Sequence, residues 1–317
     1  MTRTFIFIIL LRALSALIIT NSHYNNIYPL EIIANGGLLG DVLFFAISGF
    51  CLTPPRQKFV QWYRRRIIRI YCPVWIITTF YLLCDAYSVS TWGDIVKLFC
   101  FPTYYHFVGS IILLYIPFYF ICAHGLSAKK YMAISCSLFA LQLILYFTVY
   151  DKSYYHIDNV REPMIWFLFL QSMLLGAYFR EQDYVGSKKY NGMILFLLIC
   201  FIILYFISKL LFVKYSHISV YQLINQMILW IVLYFIFRIF MPFENSFKNM
   251  SPRLLAIARF LADHTLEIYL VQYVIIVKLN YGPFPINWLI VSSAIIVSAM
   301  ILRYISQFIL RRFTPNA

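Results

Sequence analysis

The sequence predicts an all-α polytopic membrane protein of about ten transmembrane helices, with both termini cytoplasmic. Three observations predict it. Of the 317 residues, 62% are hydrophobic and 12% charged, against about 45–50% and about 25% in soluble domains; mean hydropathy is +0.77. Apolar runs of near-spanning length recur along the chain. Lys and Arg gather in alternate loops. Such a composition excludes a soluble enzyme, a disordered chain and a fibrous protein. A soluble chain of this length would divide into roughly two domains. Here 1–317 reads as a single transmembrane domain with no soluble domain.

Taken in order, the candidate spans lie near 5–22, 38–54, 67–84, 107–124, 131–150, 163–179, 191–213, 220–241, 257–278 and 287–310. The first is not a signal peptide, because Arg12 interrupts its apolar core and further spans follow at once. Pro54-Pro55 closes the second. Glu162-Pro163 opens the sixth, where proline is tolerated in a first turn. Pro283 and Pro285 mark the last loop. No internal repeat or low-complexity linker is visible.

Orientation follows from the cations. One set of loops carries Arg3; Arg56, Lys58, Arg64, Arg65, Arg66 and Arg69; Lys129 and Lys130; Arg180, Lys188 and Lys189; Arg238, Lys248, Arg253 and Arg259; Arg311 and Arg312, eighteen in all. The opposite set carries five: Lys97, Lys152, Arg161, Lys214 and Lys278. Arg12, Lys209 and Arg303 fall within spans. The richer set belongs in the cytoplasm. The net charge of +14 is thus a topology signal and not a nucleic-acid footprint. The seven cysteines are scattered, without CxxC or paired spacing, so neither a disulfide framework nor a metal site is inferred.

A few polar residues require a reason. Arg12 lies at membrane depth, where a charge usually faces the bundle interior. His23 follows eleven residues later. On a helix, eleven steps return to within about 20° of the same face, at a rise of about 16 Å. Alternatively, Arg12 snorkels and His23 is an interfacial residue. Asp41 is the carboxylate at the mouth of span two, after Gly36, Gly37 and Gly40. It can fix a histidine tautomer and raise its basicity, or serve only as a solvated helix-start residue. The glycines, with Gly49, permit close backbone approach or simply let helices pack.

Arg66 and Arg69, three apart at the foot of span three, share a helix face. They can grip phosphate groups or contact anionic lipid. Asp263, His264 and Glu267 cluster near the start of span nine, but without a second ligand set. Tyr105 and His106, and Asp158 and Arg161, read as interfacial and solvated groups.

Four segments together resemble the membrane acyltransferase 3 family. Arg12 and His23 match its Arg/Lys-x10-His pattern. Gly37 through Phe50 resembles its glycine, Phe-Phe and Ser-Gly-Phe segment. Arg66-Ile67-Ile68-Arg69-Ile70-Tyr71 resembles its Arg-x-x-Arg and Arg-Ile-Tyr-Pro element. Leu266 through Val271 resembles its Glu-Ile-Tyr-Leu-Val-His run. There are departures. Asp41 stands one position early, Cys72 precedes Pro73, Gln272 replaces a histidine, and His106-Phe107 stands where many members carry a Trp-Phe or Trp-Ser-Leu element.

The resemblance implies a multi-pass protein of the bacterial inner membrane. It implies transfer of an acyl group, most often acetyl, from acyl-CoA to a hydroxyl of a surface polysaccharide or lipid-linked sugar. His23 would be the general base, helped by Asp41. Arg12 would line the donor's path or stabilise the thioester oxygen. Arg66 and Arg69 would hold the phosphates of acetyl-CoA. Membrane lipids are expected partners and nucleic acid is not. The extra esterase-like domain of some relatives is not expected. A glycan flippase, or an accessory subunit that transfers nothing, is the reading from another class.

Overall fold

The computed structural model describes residues 5–102, 105–182, 192–279 and 282–313. The loop cations Arg3, Lys188 and Lys189 lie outside the described residues. The fold is all-α, with no strand among the described residues. The helices are α1 (Ile6–Asn21), α2 (Gly37–Leu52), α3 (Phe59–Leu83), α4 (Trp92–Ile95), α5 (His106–Cys122), α6 (Ala128–Thr148), α7 (Met164–Glu181), α8 (Gly192–Lys214), α9 (Leu223–Phe240), α10 (Glu244–Phe247), α11 (Pro252–Asp263), α12 (Thr265–Lys278) and α13 (Ile286–Phe313).

Every one of the ten predicted segments carries a helix. By length and apolarity, however, six segments can cross a membrane alone: Glu31–Leu52, Phe59–Leu83, Ala128–Thr148, Gly192–Lys214, Leu223–Phe247 and Ile286–Arg312. These lengths support a polytopic protein without establishing ten crossings. α1 and α5 are apolar but shorter.

The predicted ninth span is not one rod. α11 and α12 meet at a 70° bend. At that bend the Thr265 hydroxyl donates to the Leu261 and Ala262 carbonyls at 3.1 and 2.9 Å, and Arg303 donates to the Asp263 carbonyl. The carbonyls orphaned by the break are thereby satisfied. Before the bend, α11 exposes Leu254, Ile257, Arg253 and Arg259, the mixed pattern of a helix lying at a membrane surface.

The chain forms two compact units. The first comprises residues 1–11, 41–55 and 117–255. In it α7 packs against α6 and α9, and α8 against α9. Two glycines set the spacing of α2 and α7. A Cβ on Gly49 would fall 2.0 Å from the Met173 carbonyl oxygen, and one on Gly176 would fall 1.9 Å from the Ala46 carbonyl oxygen. Phe45 then stacks on Phe169 at 4.2 Å. For Gly49 the packing role is the one the geometry supports. The buried Glu244 carboxylate accepts the first N–H groups of α1, from Ile6 at 3.1 Å and Phe7 at 2.9 Å. A carboxylate there satisfies orphan donors and opposes the helix dipole. α8 exposes Ile203, Leu210 and Leu211, as a lipid-facing span does.

The second unit comprises residues 12–40, 56–116 and 256–317. α13 packs on α12 and α3, and α12 also touches α3. The end of α1 and the start of α2 approach closely: the Ser15 hydroxyl donates to the Gly40 carbonyl at 2.9 Å. A π turn at Val96–Cys100 folds onto α3. There Trp75 Nε1 donates to the Phe99 carbonyl at 2.8 Å and the Tyr71 hydroxyl to that of Cys100.

Candidate active site

α1 ends at Asn21, so His23 sits in the turn beyond it, its N–H donating to the Thr20 carbonyl at 3.1 Å. The shared-face argument from Arg12 therefore runs out two residues short of His23. The histidine is half-buried, and burial lowers its pKa below the ordinary 6.5. Removing the ring from water penalises the imidazolium. The ring is thus neutral at pH 7, the form that accepts a proton.

Two residues of α12 reach this end of α1. The Thr20 hydroxyl donates to Gln272 Oε1 at 2.8 Å. The Tyr273 ring stands edge-on to His23, 6.5 Å between centroids. Gln272 is buried, so the residue in place of the expected histidine ties α12 to α1 and sets Tyr273 beside His23. From sequence Gln272 stood out only as a departure from the family pattern, and Tyr273 not at all, because their partners lie some 250 positions away.

Arg66 and Arg69 lie on the continuous helix α3. Arg66 is half-buried and Arg69 exposed. The Arg66 guanidinium packs over the Trp62 ring, 4.0 Å from its centroid, and its Nη1 donates to the Trp62 carbonyl at 2.8 Å. Its Nε has no hydrogen-bond partner in the protein. A guanidinium stacked on an aromatic face and tied to a carbonyl keeps a fixed orientation. Trp62 was missed from sequence, although a Trp four residues before an Arg on a helix is a readable pair.

Arg12 is half-buried in α1 and lies within electrostatic reach of Glu267 on α12. Glu267 is buried and pairs with Arg303 of α13 at 3.8 Å. His264 turns its Nδ1 to the Phe260 carbonyl at 2.7 Å. The Asp263, His264 and Glu267 cluster is thus organised around Arg303 and the helix bend. From Arg12 to Asn21 the helix rises about 14 Å. An arginine side chain leans toward the helix N-terminus, so one oxyanion cannot be shared between Arg12 and His23.

Arg12, His23, Arg66 and Arg69 all belong to the second unit. Asp41 belongs to the first, where it is buried on α2, past its first turn, and lies within electrostatic reach of Tyr205 on α8. Tyr105 joins a buried hydroxyl cluster in the second unit, 3.3 Å from Tyr87 and 3.4 Å from Thr78.

The half-buried imidazole of His23 and the Arg66 guanidinium braced on Trp62 therefore lie in one unit. A family model described as an acyltransferase domain matches residues 5–306. No curated protein and no solved structure gave a match. The match spans nearly the whole chain, so this multi-pass membrane protein belongs to the membrane acyltransferase 3 family and is an acyltransferase.

Proposed function

We propose that the protein O-acylates a surface polysaccharide or lipid-linked sugar in the bacterial inner membrane, using acyl-CoA, by default acetyl-CoA, as donor. The observation that carries this reading is the pairing, in one unit, of a neutral half-buried His23 with an Arg66 braced on Trp62 and holding a spare donor. Arg66 and Arg69 hold the CoA phosphates at the cytoplasmic foot of α3. The pantetheine arm runs past Arg12, whose charge is balanced by Glu267.

At His23 a ring nitrogen takes the proton of the acceptor hydroxyl as the oxygen attacks the thioester carbonyl. The C–S bond then breaks, and the departing CoA thiolate receives the proton from the imidazolium. The products are the sugar ester and free CoA, and the histidine is regenerated.

The bend between α11 and α12 is also a feature of carriers, which build sites at broken helices. A flippase reading therefore has one observation in its favour. The test supplies acetyl-CoA labelled in the acetyl group, with native glycolipid, to membranes that contain or lack the protein. Protein-dependent label in the glycan, released by mild alkali as an ester, supports O-acylation. Unlabelled glycan that still crosses the membrane in a protein-dependent way supports the flippase.

A further inference from the structure

Lys209 lies five residues before the end of the apolar helix α8. An ionisable group within a span marks a functional site unless a partner explains it. Its partner is Asp158, in the loop 149–163 between α6 and α7, at 2.6 Å with the two side chains 25% and 17% exposed. Anchoring the loop does not account for the pair, because the loop is already held elsewhere. Gln222 Oε1 accepts the N–H groups of His156 and Ile157 at 2.9 and 3.0 Å. Gln226 Nε2 donates to the Ile157 carbonyl at 2.9 Å, and Lys152 caps the carbonyl end of α6.

A second observation stands beside it. Tyr205, one turn before Lys209 on the same face of α8, is 1% exposed, and its hydroxyl has no hydrogen-bond partner. The Asp158 and Asp41 carboxylates both lie within electrostatic reach of that hydroxyl. Next to it, the Tyr155 hydroxyl donates to Asn225 Oδ1 at 3.1 Å, and the Tyr155 ring stacks along Phe212.

An ammonium, the Asp158 carboxylate, an idle phenol and an aromatic ring therefore lie together in the first unit, with the Asp41 carboxyl within electrostatic reach of the phenol. Uncharged hydroxyls can donate to the carboxylate and accept from the ammonium and the phenol. An anion would meet the Asp158 carboxylate. An apolar ligand would desolvate the ion pair without return.

We propose that Asp158, Lys209 and Tyr205, with Asp41 behind them, form a subsite for one neutral, hydroxyl-rich sugar ring of the acceptor. The inference rests on the acyl-transfer reading and deepens it by giving the acceptor's chemistry and the residues that recognise it.

The test uses the full chain in lipid nanodiscs. The probes are a panel of neutral methyl pyranosides, with methyl glucuronide as charged control, and the readout is the ligand-induced shift in melting temperature. At least one neutral glycoside is expected to shift the wild type saturably, with the glucuronide weaker. Tyr205→Phe is expected to be at least as stable as wild type, having no hydrogen bond to lose, yet to bind the glycoside about tenfold more weakly. Asp158→Asn should weaken binding similarly, and His23→Ala should bind as wild type.

A purely structural Tyr205 would leave binding unchanged in Tyr205→Phe, and that result overturns the proposal. Failure of every neutral glycoside to shift the wild type overturns it too. Sugar binding that persists when no acyl transfer can be detected keeps the subsite and removes the donor reading, so the two failures are distinguishable.

Discussion

Replacing Gly176 by alanine should loosen the first unit, and the structure gives the size of the effect. The added Cβ would lie 1.9 Å from the Ala46 carbonyl oxygen and 2.7 Å from the Phe50 nitrogen, whereas such contacts are essentially never under 3.0 Å. The obstacle is backbone on both sides, so no side chain can swing away. α2 and α7 must part by at least about 1 Å, which also opens the Phe45–Phe169 stack. Overpacking of this kind costs about 1–3 kcal/mol, and the value here belongs at the upper end. Helices in lipid associate largely through such packing, so the loss is not offset elsewhere. The assay is thermal unfolding in detergent, with Gly93→Ala as control, since a Cβ there meets nothing closer than 3.5 Å. Because α2 also carries Asp41, the displaced helix should lower activity as well. A Gly176→Ala protein as stable as wild type would refute the close approach of α2 and α7.

Other consequences concern the second unit. The pKa of His23 is lowered by burial, so the base form persists below pH 6.5, and kcat/KM should fall only as pH drops through that lowered value; an acid limb centred at or above 6.5 would contradict this. Arg66→Ala should raise KM for acyl-CoA by roughly tenfold to a hundredfold, and Arg66→Lys should recover only part, because the planar fork is lost; equal KM in all three proteins would remove the phosphate clamp. Glu267→Gln should cost about 1 kcal/mol of thermal stability, a modest figure because Arg303 keeps the Asp263 carbonyl and is itself one-quarter exposed. The double change Glu267→Met with Arg303→Met should be closer to neutral than either single change, as a thermal double-mutant cycle would report.

The membrane class was legible because it rests on composition and on loop cations, both additive along the chain. The Arg66 and Arg69 pair was legible because α3 is continuous and the spacing is local. The bend at His264 was not, because it depends on Thr265 turning back on its own carbonyls and on Arg303 arriving from forty residues away. The cap on α1 was equally hidden, since Glu244 meets Ile6 across 238 positions. The Arg12–His23 spacing was read as one continuous face, although the candidate span 5–22 already stopped short of His23, and the helix ends at Asn21. Lys209 and Asp158 each read as ordinary residues of a span and a loop, and only the fold joins them.

The most direct test of the central claim compares membranes carrying the wild type with membranes carrying His23→Ala at matched abundance. Acetyl-CoA labelled in the acetyl group is supplied with native glycolipid, and label in the glycan is counted. Loss of the general base should reduce transfer by about 10²–10⁴-fold, with acetyl-CoA still bound through Arg66 and Arg69. Equal label in the two preparations would contradict the assignment of His23 as the base.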